Sequence, residues 1–323
     1  MTTIGKYRHL SRMSTKDGHF VILAIDHRTN MLEKLNEYAN SPLSDADFIR
    51  FKQGIAQALA PYSSGALTDP TYGIADNVVN EVFHGQMGLL SPVEVTDYGL
   101  HPSLRDMQRI PHWSVKKIKM MGGDGVKLLL PYNPNADKAE EKLDFVREII
   151  ADCTRYDIPF FLEPIPYPLD PKMTLSNAEL LDISIEMCER FSAMGVDALK
   201  LPFPVDHKQS QDEAQWFAAC EAVDAACPVP WALLSAGVNF DTFLRQSKIA
   251  CAAGASGVIV GRAVWAEIVA MNTDARMPFL LETGAARMQA LADVCKQSAT
   301  SWHDRVTKPD TSFDWYETYQ ASN

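Results

Sequence analysis

Val196-Asp197-Ala198-Leu199-Lys200-Leu201-Pro202-Phe203 is a short apolar run with a cation at its centre. It follows a helical stretch. Ser176-Asn177-Ala178-Glu179 has the form of a capping box, in which the serine oxygen accepts from the helix's free amides while the glutamate reaches back. Leu181, Ile185, Cys188 and Phe191 then fall on one face, and Gly195 stands where a left-handed residue closes a helix. A helix that delivers the chain directly into a buried apolar run is one unit of a parallel α/β architecture.

Working outward, the same kind of run recurs at Phe20 to Ile25, Gly65 to Thr68, Leu89 to Val95, Gly125 to Leu130, Pro159 to Ile165, Pro230 to Ser235 and Gly257 to Val260, with Ala198 to Phe203 sixth in order. The segments between them are long enough for one helix each. In Asp212 to Ala226, Trp216, Cys220 and Val223 are in helical register, and Phe243 to Ala252 follows Asp241, a good capping residue. Eight such units in about 250 residues predict an α/β fold, a closed (β/α)8 TIM barrel. The barrel is expected over about 19–275, with an N-terminal helix from Ile4 to Ser14 and a C-terminal helical extension over about 276–323. A doubly wound open sheet would announce itself with a glycine-rich turn after the first strand. That turn reads Asp26-His27-Arg28-Thr29-Asn30, and neither G-x-G-x-x-G nor a Walker A motif follows any strand. No repeat, low-complexity tract or linker divides the chain, so residues 1–323 are expected to form one domain.

The bulk properties exclude several classes of function. The formal net charge is −11 and the acids and bases are interspersed, so the basic patch that nucleic acid needs is absent. No stretch approaches the ~18 apolar residues of a membrane span, and the N-terminus lacks an apolar signal core. The cysteines form no C-x-x-C pair and read as small buried hydrophobes in a reducing, cytoplasmic compartment. The histidines show no H-x-x-x-H or H-E-x-x-H spacing, so no metal site is expected.

In a TIM barrel, chemistry collects at the C-terminal ends of the strands. Those positions are polar here: Asp26, Asp69, Glu94, Lys127, Glu163, Lys200, Ser235 and Arg262, one from each strand in turn. A lysine within an apolar strand sits in a cavity or snorkels to water. In a cavity, desolvation lowers its pKa and yields an amine able to form a Schiff base with a ketone. Lys127 and Lys200 lie two strands apart, and mutual repulsion is expected to lower the pKa of at least one. Glu163, on the strand between them, is placed to pair with one lysine and to move protons, and Asp26 could share that work. After the seventh and eighth strands, Ser235-Ala236-Gly237-Val238 and Val260-Gly261-Arg262 bring accessible backbone amides and an arginine fork to the place where such barrels hold a phosphate.

Together with Leu23-Ala24-Ile25-Asp26-His27-Arg28, Leu67-Thr68-Asp69-Pro70-Thr71-Tyr72-Gly73, Phe161-Leu162-Glu163-Pro164 and Gly261-Arg262-Ala263-Val264-Trp265, these residues resemble the class I tagatose-1,6-bisphosphate aldolase family over roughly 15–270. The resemblance implies that Lys200 is the Schiff-base lysine, Glu163 the principal acid/base group, and Asp26 and Lys127 its assistants. It also implies phosphate binding near Ser235, Gly237, Gly261 and Arg262, with Arg28 a further candidate. His27, Asp69 and Glu94 complete the expected substrate-binding set. No cofactor or metal is expected, the covalent iminium serving as electron sink. The family usually carries glutamine where this chain has His27, a position that faces substrate, so the distal group is left open. The implied substrate is a ketose 1,6-bisphosphate such as tagatose 1,6-bisphosphate. Alternatives are 6-deoxy-6-sulfofructose 1-phosphate, fructose 1,6-bisphosphate or an inositol-derived phospho-sugar acid. A non-catalytic sugar-phosphate sensor is the reading from a different class, and it would need anion contacts but no iminium-forming amine. The expected partner is thus a small phosphorylated or sulfonated sugar. The aromatic tail (Trp302, Phe313, Trp315, Tyr316, Tyr319) is expected to pack on its own barrel, with contact in a homo-oligomer the alternative.

Overall fold

Eight parallel strands close on themselves in the computed structural model, which describes residues 2–95, 99–317 and 319. They are β1 (Phe20–Ile25), β2 (Gly65–Thr68), β3 (Gly88–Pro92), β4 (Gly125–Tyr132), β5 (Phe160–Pro166), β6 (Ala198–Leu201), β7 (Trp231–Leu234) and β8 (Gly257–Val260). Each pairs with its sequence neighbours, and β1 closes the ring by pairing with β8, Phe20 against Gly257 and Ile22 against Ile259. This is the predicted TIM barrel, with a helix over Ile4–Met13 before it and further helices after β8, including Ala285–Ser298.

Local chemistry accounts for the boundaries. The helix Asn177–Met194 starts at the capping box of Ser176 and Glu179 and ends at Gly195, whose φ of 98° is the left-handed conformation expected there. Strand β6 stops before Pro202 and β3 at Pro92, where the ring leaves no N–H for the ladder. The third strand is therefore shorter than the run to Val95 suggested. Glu94 instead forms an isolated antiparallel bridge with Arg109. The helix before β8 begins at Phe240, capped by Asn239 rather than by Asp241, because extended Asn239 already accepts from the Thr242 amide.

Alternation along each strand separates two cores. Outward-facing residues pack against the surrounding helices, with Trp216, Phe191, Trp231 and Val258 all buried. Inward-facing residues, among them Phe20, Ile22, Ala24, Leu67, Leu90, Phe161, Ala198, Ala232 and Ile259, fill the barrel. Leu10 and Met13 of the N-terminal helix and Trp302 of the C-terminal segment join that interior group. The Trp302 indole donates to Ser14 Oγ at 2.9 Å and lies edge-on to Tyr7 at 4.8 Å. These additions close the end of the barrel at which the strands begin, leaving the other end open.

The aromatic tail is divided in its behaviour. Trp302 is fully buried, and the Tyr319 hydroxyl meets Asp157 and accepts from the Gly5 amide at 3.0 Å, whereas Phe313 is 97% exposed. Residues 318 and 320–323 of the expected extension lie outside the described residues. Cys153, Cys188, Cys220, Cys227, Cys251 and Cys295 are buried and unbridged. Among the described residues no helix is long and apolar enough to cross a membrane.

Candidate active site

The same alternation that fills the barrel with apolar side chains raises a charged layer above them. Asp26 comes two residues after Ala24, Lys127 two after Gly125, Glu163 two after Phe161 and Lys200 two after Ala198. The last three pairs each share a face of their strand, and Asp26, one residue past β1, also enters the cavity. Phe161 is level with Ala198, so the next inward pair along β5 and β6 is Glu163 and Lys200. Lys127, Glu163 and Lys200 are each at most 5% exposed. A Glu163 carboxylate oxygen lies 2.9 Å from Lys127 Nζ and 2.9 Å from Lys200 Nζ. Lys127 Nζ also reaches Asp26 and Glu94, both at 3.0 Å.

These distances set the charges. Burial disfavours the Lys127 ammonium, but Asp26, Glu163 and Glu94 together outweigh it and hold its pKa well above the ordinary lysine range. Lys127 is therefore a fixed cation. Repulsion between the lysines, expected to lower one of their pKa values, does not govern Lys127, because carboxylates surround it and one of them lies between the two amines. Burial likewise disfavours the Asp26 carboxylate, but Lys127, then Lys200 and His27, pull its pKa well below the usual range. Glu94 behaves oppositely: burial raises its pKa despite Lys127 and Arg28. Burial drives the His27 pKa down to about 3, with Arg262, Lys52 and Lys200 adding to it against the pull of Asp26. His27 is a neutral imidazole at pH 7. Its ring meets Trp265 edge-to-face at 5.2 Å, and its Nδ1 is buried without a hydrogen-bond partner among the described residues.

The anion-binding expectation centres on β7 and β8. Ser235 is followed by two left-handed residues, Ala236 at φ 45° and Gly237 at φ 81°, and the Val238 amide closes the turn on the Ser235 carbonyl at 3.0 Å. A side chain at Gly237 would place its Cβ 3.3 Å from Arg262 Cζ, so the guanidinium lies directly against that backbone. Arg262 opens the helix Arg262–Trp265 after Gly261, and among the described residues no carboxylate pairs with it. A fork of donors at the rim without a carboxylate of its own is suited to an anionic group from solution.

Of the residues singled out from sequence, Asp26, His27, Arg28, Lys127, Glu163, Lys200, Ser235, Gly261 and Arg262 line one cavity at the open end of the barrel. Gly237 stands just behind Arg262. Two others depart from the expectation. Asp69 is fully buried and turned away from the cavity, pairing with Lys52, while its other oxygen accepts the Thr71 and Tyr72 amides at 2.9 Å each. Strand β2 ends at Thr68, and in the turn that follows the Thr71 and Tyr72 amides and Lys52 hold Asp69 away from the cavity. Glu94 is 1% exposed behind Lys127, so its contact is with that lysine and not with the cavity. Asn30 and Ala236 line the cavity without having been picked out. Asn30 lies four residues past Asp26 on the first turn of the helix Thr29–Asn36, and that proximity is the signal that could have found it. Among the described residues, no group of three His, Cys, Asp or Glu side chains is arranged to hold a metal ion.

The family profile described as "DeoC/LacD family aldolase" matches residues 20–267, from β1 to just beyond β8. The chain belongs to the DeoC/LacD aldolase family. It is 34% identical to a tagatose 1,6-diphosphate aldolase of Listeria monocytogenes serotype 4a, with 93% of this chain and 94% of that protein covered. A tagatose 1,6-diphosphate aldolase of Streptococcus agalactiae serotype V is 32% identical, covering 93% of this chain and 98% of the relative. Among solved structures, a fructose-bisphosphate aldolase from Slackia heliotrinireducens superposes with a TM-score of 0.64 at 14% identity, over 96% of this chain and 93% of that one. That likeness shows a shared barrel fold. As a DeoC/LacD aldolase, the chain presents its buried lysines and carboxylates inside the segment that the family profile spans.

Proposed function

We propose that this DeoC/LacD aldolase works through a Schiff base at Lys200, cleaving a ketose 1,6-bisphosphate such as tagatose 1,6-bisphosphate to dihydroxyacetone phosphate and glyceraldehyde 3-phosphate. The observation that carries the reading is one buried carboxylate, Glu163, held 2.9 Å from both Lys127 and Lys200 over an apolar barrel interior. The Listeria and Streptococcus relatives, named as tagatose 1,6-diphosphate aldolases, support the substrate class.

In this reading the Lys200 amine adds to the C2 ketone, and the carbinolamine loses its oxygen as water after protonation by Glu163. Glu163 or Asp26 then takes the proton of the C4 hydroxyl. The C3–C4 bond breaks, its electron pair flows into the iminium to give an enamine, and the aldehyde departs. Protonation at C3 and hydrolysis release dihydroxyacetone phosphate and the free amine. Lys127, a fixed cation, balances charge as Glu163 gains and loses its proton. Arg262 and the Ser235–Gly237 turn receive one terminal phosphate. His27, being neutral, supplies no charge to an anion, so a distal phosphate or sulfonate falls to Arg28 on the same turn.

Borohydride added with dihydroxyacetone phosphate tests the chemistry. It is expected to inactivate the enzyme and leave one triose-phosphate adduct at Lys200, with activity unaffected by EDTA. An adduct on another lysine, or activity that survives reduction, rules the assignment out. Identifying the aldehyde released from the intact substrate separates a distal phosphate from the sulfonate of 6-deoxy-6-sulfofructose 1-phosphate.

A further inference from the structure

Lys52 and Asp69 form a buried ion pair just outside the cavity, and neither belongs to the proposed catalytic set. Lys52 is 2% exposed in the helix Asp45–Leu59, and Asp69 is fully buried in the turn after β2. Lys52 Nζ has a second acceptor, the backbone carbonyl of His27, at 3.1 Å. The ammonium lies beside the edge-to-face pair of Phe48 and Tyr72, at 5.6 and 6.0 Å from their ring centres. Asp69 is itself fixed, because its free oxygen accepts the Thr71 and Tyr72 amides. The chain of contacts thus runs from a rigid turn after β2, through one ammonium, to the middle of the turn after β1. That second turn carries three consecutive cavity residues, Asp26, His27 and Arg28.

A buried ion pair is weak evidence for stability. Desolvating both charges costs about what their attraction returns, and apolar residues of similar volume often serve as well. What an apolar pair could not do is hold a carbonyl. We propose that Lys52 and Asp69 are positioning residues: through the His27 carbonyl they fix the turn that aims Asp26, His27 and Arg28 into the cavity. The inference rests on the Schiff-base reading for the roles of those three residues, but the linkage itself does not depend on the substrate.

Lys52→Met alone leaves Asp69 buried without its cation, so a failure to fold would say nothing about positioning. The informative variant is therefore Lys52→Met with Asp69→Asn. It is neutral as a pair and keeps an oxygen for the Thr71 and Tyr72 amides. It is expected to retain a Tm within a few degrees of the parent and to form the borohydride adduct at Lys200. Its kcat is expected to fall roughly ten- to a hundred-fold, the scale of loss when a catalytic group is displaced by a fraction of an ångström to an ångström. Lys52→Arg, which can still donate to both acceptors, is expected to recover much of that loss. NMR chemical shifts of the Asp26, His27 and Arg28 backbone, read on the parent, the double variant and Lys52→Arg, supply a readout independent of turnover, because losing the hydrogen bond to the His27 carbonyl rearranges that turn and restoring a donor returns it. A double variant with parental kcat, parental KM and unmoved backbone shifts in this turn overturns the proposal. Should the parent form no adduct at Lys200, the Schiff-base reading fails by itself, and the backbone shifts still decide what the pair does.

Discussion

Glu163 is the residue on which the proposed chemistry turns, because its carboxylate is shared by the amine that would attack and by the cation that would stay charged. Glu163→Gln keeps the shape and removes the proton-transfer group. It is expected to lower kcat ~10²–10⁴-fold with little change in KM, measured by steady-state kinetics on the ketose bisphosphate. Near-normal kcat would remove Glu163 from the mechanism. His27 yields a prediction about stability. Its pKa is about 3 in the folded protein, against about 6.5 when unfolded. Between those values the unfolded chain binds the extra proton, so the stabilising contribution is complete above about pH 6.5 and is lost as pH falls. The loss is at most about 1.4 kcal/mol per pH unit. His27→Gln should flatten the acid limb of the Tm–pH profile across that window. His19, whose pKa burial also lowers, maintains part of the slope. Identical acid limbs in parent and variant would show that His27 titrates normally.

At the level of elements, the rim after β7 depends on a backbone that only glycine adopts without strain. Gly237 has φ 81° and lies against the Arg262 guanidinium. Gly237→Ala imposes a left-handed conformation on an L-residue, costing about 1–2 kcal/mol, and presses its Cβ on the guanidinium. The expected outcome is a modest fall in stability and a rise in KM for a phosphorylated substrate, with kcat less affected. An analogue lacking the terminal phosphate should show a smaller change. Equal effects on both would mean that the turn does not serve the anion. The elements also explain where strand reading from sequence held and where it slipped. Runs bounded by helix caps and glycines, such as Phe20–Ile25 and Gly257–Val260, kept their limits. The runs of β3 and β6 ended at or before a proline, whereas β5 continues through Pro164 to Pro166.

Across the whole molecule, the barrel is open at the end that carries the site and plugged at the other. Trp302 contributes a buried aromatic ring to the barrel interior from a segment far from it in sequence, fixed by Ser14 and Tyr7. Trp302→Ala is expected to cost about 3–5 kcal/mol of stability, read as a lower urea midpoint. Turnover per folded molecule should change little, because the charged layer lies at the opposite end. A loss of kcat without a loss of stability would instead tie the plug to the chemistry.

The sequence by itself determined the strand count, the barrel and most of the charged layer. A period of two along each strand dictates both which residues turn inward and which positions stand above the apolar filling. Lys200, Glu163 and Lys127 were legible for that reason: each sits two residues beyond a small or apolar inward residue on a strand whose limits the chain announces. The alternation is a local property, and it fails where the strand stops. Asp26, Asp69 and Glu94 lie past the ends of β1, β2 and β3, and only the folded chain decided that the first would enter the cavity, the second turn to Lys52 and the third stand behind Lys127. Lys52 was legible only in part. It shares a buried stripe with Phe48, Ile55 and Leu59 but was not singled out, because its partners come from two other turns. The charge states belong wholly to the tertiary structure. Whether burial or neighbouring charge governs a pKa depends on distances of about 3 Å between groups far apart in the chain, which is why Lys127 is a fixed cation and His27 a neutral ring.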